Sequence, residues 1–178
     1  MLDESGYRLT PVVRRTYAPR GQTPSQSCWD RRDRLSAISA ITISPRRKRP
    51  GLYFTLLPDN HNAHEEDTVS FLRQLHRHIP GPLTVIWDRG HIHDRSAVVR
   101  RYLSQHPEIV TEKLPAYAPE LNPDEGVWDY TKYNRLANFA AASTSALRVR
   151  LHAELTRLRH RPDLLASFIQ HTSLPLLL

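Results

Sequence analysis

The amino-acid sequence predicts an α/β fold, a mixed central sheet flanked by helices. Three observations carry that reading. Strand-like apolar runs come first in the chain. Strands then alternate with segments whose apolar residues recur at helical spacing. The 178 residues suit one domain with at most a small appendage.

The elements follow in order. Met1 to Gly6 reads as a strand end or a loop. Tyr7 to Asp33, rich in Pro, Gly, Ser, Thr and Arg, reads as a short hairpin with long loops. Leu35 to Ile43 puts Leu35, Ala37, Ser39, Ile41 and Ile43 on one face and Ile38 and Ala40 on the other, the pattern of a strand buried on both sides. A basic turn, Ser44 to Gly51, joins it to a second strand, Leu52 to Leu57, as a hairpin. His64 to Ile79 is a helix with Phe71, Leu72, Leu75 and Ile79 on its apolar face and Glu65 to Asp67 at its positive end. Pro80-Gly81-Pro82 stops it. Leu83 to Trp87 is continuously apolar, as for a central parallel strand, reached by a right-handed crossover if parallel to the strand before the helix. Asp94 to Gln105 is a helix with Val98, Val99, Tyr102 and Leu103 as its apolar face; Ile109 to Leu114 is a strand. Helices follow over Pro123 to about Ala137, Ser145 to His160 with Leu147, Leu151, Leu155 and Leu158 on one stripe, and Asp163 to Ile169. The order is β-β-β-α-β-α-β-α-α.

Composition excludes several classes of function. No apolar run approaches the roughly 20 residues of a membrane-spanning helix; the tail Leu174 to Leu178 is short and broken by Pro175. Asp3 and Glu4 stand where a secretory signal would be basic and then apolar. The single cysteine, Cys28, excludes an internal disulfide framework and a cysteine-rich zinc site, and reads as an incidental thiol. Lysine and arginine total 25 against 18 acids, a formal charge of +7, and only three of the 25 are lysines. Arginine forks suit phosphate, so the excess points to nucleic acid. GC-rich codon usage gives the same excess, so composition alone does not choose.

Three acidic positions stand out. Asp88 ends the buried strand and precedes Arg89-Gly90, and chemistry in open α/β sheets gathers at the carboxyl ends of strands. The plain alternative is a turn cap. Glu125 follows Asn122-Pro123-Asp124, where Asn122 is a good N-cap and N-x-x-E a plausible capping box. Asp3 and Glu4, near a terminus, read by themselves as a solvated pair. Three carboxylates from separate segments can hold two Mg²⁺ ions, hard cations that prefer oxygen ligands. A zinc set of Asp88, His91 and His93 is set aside, because the two histidines sit on a turn with no clear third partner and ten histidines scatter along the chain.

Four stretches then appear in order: Asp3-Glu4-Ser5-Gly6-Tyr7; Arg15-Thr16-Tyr17-Ala18-Pro19-Arg20-Gly21-Gln22-Thr23-Pro24; Trp87-Asp88-Arg89-Gly90 with His93; and Leu114-Pro115-Ala116-Tyr117-Ala118-Pro119-Glu120-Leu121-Asn122-Pro123-Asp124-Glu125-Gly126-Val127-Trp128. Together they resemble the DDE catalytic domain of insertion-sequence-630 and Tc/mariner-type transposases. The last stretch is the most specific, and 36 residues lie between Asp88 and Glu125, a spacing close to that family's. The resemblance runs from Asp3 to about Leu158.

The resemblance implies a ribonuclease H-like fold. It implies Asp3, at the end of the first strand, Asp88 and Glu125 as the catalytic and metal-binding carboxylates, with two Mg²⁺ ions for which Mn²⁺ can substitute. Asp124 competes for the third role, but Glu125 matches by its place before Gly-Val-Trp. The implied activity is metal-dependent DNA strand cleavage and transfer; the alternative is a truncated, non-catalytic remnant that only binds DNA. DNA contacts are expected from Arg46, Arg47, Lys48 and Arg49 on the hairpin tip and from Arg148 and Arg150 (with Arg157 and Arg159) on the later helix. Expected partners are transposon ends and target DNA, a separate or missing N-terminal helix-turn-helix region, and a second copy in a homodimer, in the cytoplasm at the nucleoid. Two departures stand out. Relatives carry that helix-turn-helix region, and only Met1 and Leu2 precede Asp3. Residues 1–160 are therefore expected to be the catalytic domain with its first strand truncated, marginally stable and weakly active alone, and 161–178 a C-terminal helix and tail. Many relatives also have Asn where Arg89 stands, which alters the bonding near Asp88.

Overall fold

The computed structural model describes residues 1–28, 32–46, 48–93, 95–172 and 174. The first three strands form an antiparallel meander. Strand β1 (Leu2–Arg8) pairs with β2 (Arg34–Ile43) along its whole length, from Leu2 opposite Ala40 to Arg8 opposite Arg34. Strand β3 (Pro50–Asp59) pairs with the other edge of β2. Asp3 is therefore the second residue of β1, not its last, because the pairing with β2 runs on five residues past it.

The expected hairpin within 7–33 does not form among the described residues. Tyr7 already belongs to β1, and the connection is exposed from Val13 to Cys28. It is fastened at Asn138, which bonds the amide and carbonyl of Arg14 at 2.9 Å each. Proline and glycine in this stretch mark its irregular path, not a turn between strands.

Strand β2 shows why the sheet needs helices on both sides. Leu35, Ala37 and Ile41 pack into one apolar cluster with Trp128, Leu151 and Leu165. Ile38 and Ala40 pack into another with Leu72, Val85 and Tyr102. The first cover consists of α3 (Pro123–Asp129), α4 (Thr144–Arg159) and α5 (Pro162–His171). The second consists of α1 (Glu65–His78) and α2 (Ala97–Ser104). Helix α4 buries the stripe Leu147, Leu151, Leu155 and Leu158 as its spacing requires.

Helix α2 begins later than expected, since Ser96 is its N-cap and accepts from the amides of Val98 and Val99. Asp94, the expected start, lies outside the described residues. Val98 also points outward, so the buried face is Val99 and Tyr102. After α3 the chain widens into a π-helical turn, Tyr130–Arg135. The buried Thr131 hydroxyl explains the change of pitch, since it bonds the Val127 carbonyl at 2.8 Å and the Tyr7 hydroxyl at 2.7 Å.

Strand β4 (Leu83–Trp87) pairs in parallel with β5 (Ile109–Lys113). It lies beside β1, giving the side-by-side order β3-β2-β1 and then β4-β5. The ladder is interrupted between β1 and β4, so β4 is not hydrogen-bonded on both edges as a central strand would be. A cleft of about 800 Å³ opens there, lined by Met1, Leu2, Ala40 to Ile43 and Leu83 to Ile86.

The arginines of α4 find partners inside the chain. Buried Glu154 receives Arg135 at 2.8 Å, Arg157 at 2.7 Å and Arg150 at 3.2 Å. Arg148 reaches β3, bonding the Leu57 carbonyl at 2.5 Å and Asp59 at 2.7 Å. Arg159 bonds the Leu52 carbonyl at 3.0 Å. Arg148 and Arg159 thus tie α4 to β3, and Arg135 ties it to the helical turn before it.

Candidate active site

Three elements deliver the acidic residues. Strand β1 carries Asp3 and Glu4, the carboxyl end of β4 leads into Asp88, and the first turn of α3 carries Glu125. The spacing inside the Asn122–Trp128 stretch has a physical basis. Asn122 caps α3 by accepting from the Asp124 amide at 3.2 Å, and Pro123 takes the first helical position. Residues three apart share a helix face, so Trp128 stands on the side of Glu125. From there its Nε1–H donates to Asp3 Oδ2 at 3.0 Å. A further turn on, Lys132 Nζ donates to Ser5 Oγ at 2.6 Å. Helix α3 is thus registered against β1 through Trp128 and Lys132. Gly126 permits the approach of α5, because a Cβ there would meet the Phe168 ring at 2.7 Å.

Asp124 and Glu125 face opposite ways. Asp124 is fully buried and accepts from Ser39 Oγ at 2.5 Å and the Ile41 amide at 3.2 Å, which anchors α3 to β2. Burial raises its carboxyl to about 6, opposed by the nearby N-terminal ammonium and the Ser39 bond. Glu125 is exposed.

Asp88 is held by the turn that follows it. Its Oδ1 accepts from the Gly90 amide at 2.7 Å and lies 2.7 Å from His93 Nδ1. That second approach is an ion-pair contact more than a well-directed hydrogen bond, since His93 Nδ1 has no aligned acceptor. His93 is 1% exposed, stacks on Trp87 with an interplanar angle of 7°, and brings Nε2 to Glu4 Oε1 at 2.9 Å. One buried imidazole therefore bridges the β1 acid Glu4 and the β4 acid Asp88 where no backbone ladder joins those strands. Both nitrogens face carboxylates, so His93 is not free to complete a zinc set with Asp88 and His91. Arg89 donates to the Leu114 carbonyl at 3.1 Å and ties the end of β4 to the segment after β5.

The charges are unbalanced towards negative. Burial, then the charges of Asp124, Glu4 and Glu125, push the Asp3 carboxyl up to about 8, against the Trp128 bond. Burial, Asp129 and Asp88 raise Glu125 while Lys132 opposes them. The contact with His93 holds Asp88 below the usual carboxylate range. Burial alone would lower His93, but Asp88 and Glu4 outweigh it and hold the imidazolium to about 10. Burial lowers Lys132 against the pull of Glu125, Asp129 and Asp3. Asp3 feels Glu125, and Glu125 feels Asp88, but among the described residues these three carboxylates do not close to within 4.8 Å of one another as a ligand set. A set of oxygen donors of which one, Asp3, is kept protonated near neutral pH by burial and by neighbouring acids fits a hard divalent cation.

A stability prediction follows for the metal-free chain. A carboxyl raised from 3.8 to about 8 contributes stability below pH 4 that is lost as pH climbs through 8. Asp3→Asn should therefore melt increasingly above the parent as pH rises from 5 to 9. A melting-temperature difference that stays flat or shrinks over that range, measured by scanning fluorimetry, would contradict the charge balance described.

Of the expected DNA-contacting residues, Arg46, Lys48 and Arg49 are exposed on the β2–β3 tip, and Arg47 lies outside the described residues. The tip borders the cleft beside Leu83, at the opposite end of β4 from Asp88. Arg148 is occupied by β3, and Arg150 is half-exposed beside Glu154. The sequence by itself assigns no role to Glu4, Trp128 or Lys132, and it offers His93 only as part of a motif. The helical spacing of Glu125, Trp128 and Lys132 is the signal that could have found the last two.

A strand order of β3-β2-β1 beside β4-β5 with helices on both faces is the arrangement of a ribonuclease H-like domain. Solved structures agree on the fold. The Mos1 mariner paired-end complex with Mn superposes with a TM-score of 0.66 at 16% identity, covering 96% of this chain and 52% of that one. The Mos1 transposase paired-end complex with left transposon end gives a TM-score of 0.62 at 18% identity, covering 95% of this chain and 53% of that one. The chain thus spans about half the length of these structural relatives. No curated protein sequence matches significantly. The family model described as DDE superfamily endonuclease matches residues 1–148, and the chain belongs to that family. Enzymes of this superfamily use a divalent metal. Among the described residues no helix is long and apolar enough to cross a membrane.

Proposed function

We propose that this chain is the catalytic domain of a Tc1/mariner-type transposase, cutting a phosphodiester at a transposon end and joining the freed 3′-hydroxyl to target DNA. The observation that carries the reading is the family match over residues 1–148, within which β1, the residue after β4 and the first turn of α3 supply Asp3, Asp88 and Glu125. These three carboxylates would hold two Mg²⁺ ions, or Mn²⁺ in their place. When bound, such ions supply an activated water and stabilise the leaving oxygen of an in-line displacement. The chain's own work is positioning. Trp128 holds Asp3, the Gly90 amide and His93 hold Asp88, and the capped first turn of α3 presents Glu125. Plasmid nicking that requires Mg²⁺ or Mn²⁺ and stops in EDTA tests the reading. DNA binding that persists in EDTA with no nicking in any metal would instead mark a non-catalytic DNA-binding remnant.

DNA is the partner this function requires, at transposon ends and at the target. A helix-turn-helix region, supplied in a longer or separate chain, would read the ends, and a homodimer would pair them, at the nucleoid. The exposed tip residues Arg46, Lys48 and Arg49 are the side chains best placed for phosphate, with Arg150 beside them in the proposal and Arg148 set aside for β3. Replacing the three tip residues by Ala should weaken binding about equally on unrelated sequences. The slope of log affinity against log salt should shrink by about 0.9 for each phosphate that is no longer neutralised. An unchanged slope in a filter-binding or anisotropy titration would remove the tip from the interface.

Residues 1–160 form the catalytic unit in this reading, with 161–178 as its appended helix and tail.

A further inference from the structure

A second cluster of ligating side chains lies away from the acidic centre. His76 sits in the last turn of α1, His106 just past α2, and Glu108 just before β5. Their donor atoms all lie within 4.8 Å of one another. His106 Nδ1 is 3.0 Å and His76 Nδ1 3.5 Å from the same oxygen, Glu108 Oε1. The two imidazoles meet edge to face at 77°. Side-chain exposures of 26% for His76, 34% for His106 and 31% for Glu108 leave the donors part-covered yet reachable from solvent.

The surrounding backbone is fixed. The His106 amide donates to the Leu103 carbonyl at 3.0 Å, the Ile109 amide to the His106 carbonyl at 2.9 Å, and the Leu83 amide to the Glu108 carbonyl at 2.9 Å. The Tyr102 ring rests against His106 at 4.3 Å. Two of the three ligands therefore sit on a braced turn, and the third on a helix packed beside it.

Donor chemistry and spacing select the ion. Zinc bonds of about 2.0–2.2 Å place tetrahedral donors roughly 3.3–3.5 Å apart, which the two contacts of 3.0 and 3.5 Å bracket. Two imidazoles and a carboxylate form a borderline set suited to Zn²⁺, unlike the all-oxygen centre at Asp3, Asp88 and Glu125. The two places are also separate. Glu108 pairs with the start of β4 and Asp88 follows its end, roughly 16 Å apart at about 3.3 Å per residue.

We infer that His76, His106 and Glu108 form a binding site for a Zn²⁺-class ion, distinct from the acidic centre, that clips the end of α1 to the α2–β5 turn. Three protein ligands leave the fourth position to water. The site is independent of the proposed nuclease chemistry.

The test uses the full chain carrying Asp88→Asn, in excess Mg²⁺ to occupy the remaining carboxylates. Co²⁺ is the optical probe and Zn²⁺ the competitor. One equivalent of Co²⁺ should give the intensified visible bands of four- or five-coordinate nitrogen and oxygen ligation, and Zn²⁺ should displace it. His106→Gln and Glu108→Gln, each checked for its fold by circular dichroism, should each weaken binding by about tenfold or more. Zinc should raise the melting temperature of the parent and not of a chain carrying both. A Co²⁺ spectrum and affinity unchanged by these substitutions, or no stoichiometric binding in the parent, would mean a hydrogen-bonded cluster only and overturn the inference.

Discussion

Asp88→Asn should abolish nicking, by at least about a thousandfold or ~4 kcal/mol of transition-state stabilisation. The chain should stay folded. Asp88 is 57% exposed, and its main partners, the Gly90 amide and His93, are kept in part when an amide oxygen replaces the carboxylate oxygen. Loss of the ion pair leaves His93 bonded to Glu4 alone, at a cost of about 1 kcal/mol. Supercoiled-plasmid nicking in Mg²⁺ and in Mn²⁺, beside a thermal melt of the same preparation, separates the two effects. Nicking within tenfold of the parent would remove Asp88 from the chemistry.

Gly90→Ala should lower nicking by about a hundredfold while leaving every carboxylate in place. A Cβ at Gly90 would stand 2.8 Å from Asp88 Oδ1 and 3.1 Å from His93 Nδ1, closer than carbon and these atoms tolerate. Only one of these neighbours can yield, the 57%-exposed Asp88 side chain. His93 is enclosed between Trp87 and Glu4, so the Asp88 carboxylate must swing away. A misplacement of about 1 Å is enough for a loss of that size. The signature is reduced turnover with little change in DNA affinity, since no cation is touched. A variant with parental turnover would show that the Asp88–His93 contact does not set the aim of the carboxylate.

What the sequence made legible has a physical pattern. The nearly unbroken run of apolar and small residues from Leu35 to Ile43 announced a strand buried on both faces, because the residues for both faces stand side by side in the sequence. The Leu147, Leu151, Leu155 and Leu158 stripe announced α4 by its helical period. Asn122-Pro123 announced the start of α3, since capping is written in adjacent residues. Relations between distant residues stayed hidden. Arg150 and Arg157 stand at helical spacing from Glu154 and could have been read as its partners, but the burial of Glu154 and its bond to Arg135 are long-range. Asp124 and Glu125 are neighbours in sequence, and only the packing of α3 on β2 turns the first inward and the second outward. The π-helical turn depends on a hydroxyl pair, Tyr7 and Thr131, 124 residues apart. His93 lies within a recognisable motif, but its bridge to Glu4 requires β1 and β4 to be neighbours.

The central claim is that Asp3, Asp88 and Glu125 act as one divalent-metal centre, with Trp128 and His93 aiming two of the three. The most direct test is calorimetric titration of Mn²⁺ into the chain and into Asp3→Asn, Asp88→Asn and Glu125→Gln, each in a His106→Gln background that removes the second cluster. The account predicts that the parent binds Mn²⁺, that each single substitution weakens binding by about tenfold or more, and that any two together cost less than the sum of their separate effects because the ligands share the ions. Mn²⁺ binding of equal affinity and stoichiometry in all four proteins would contradict it.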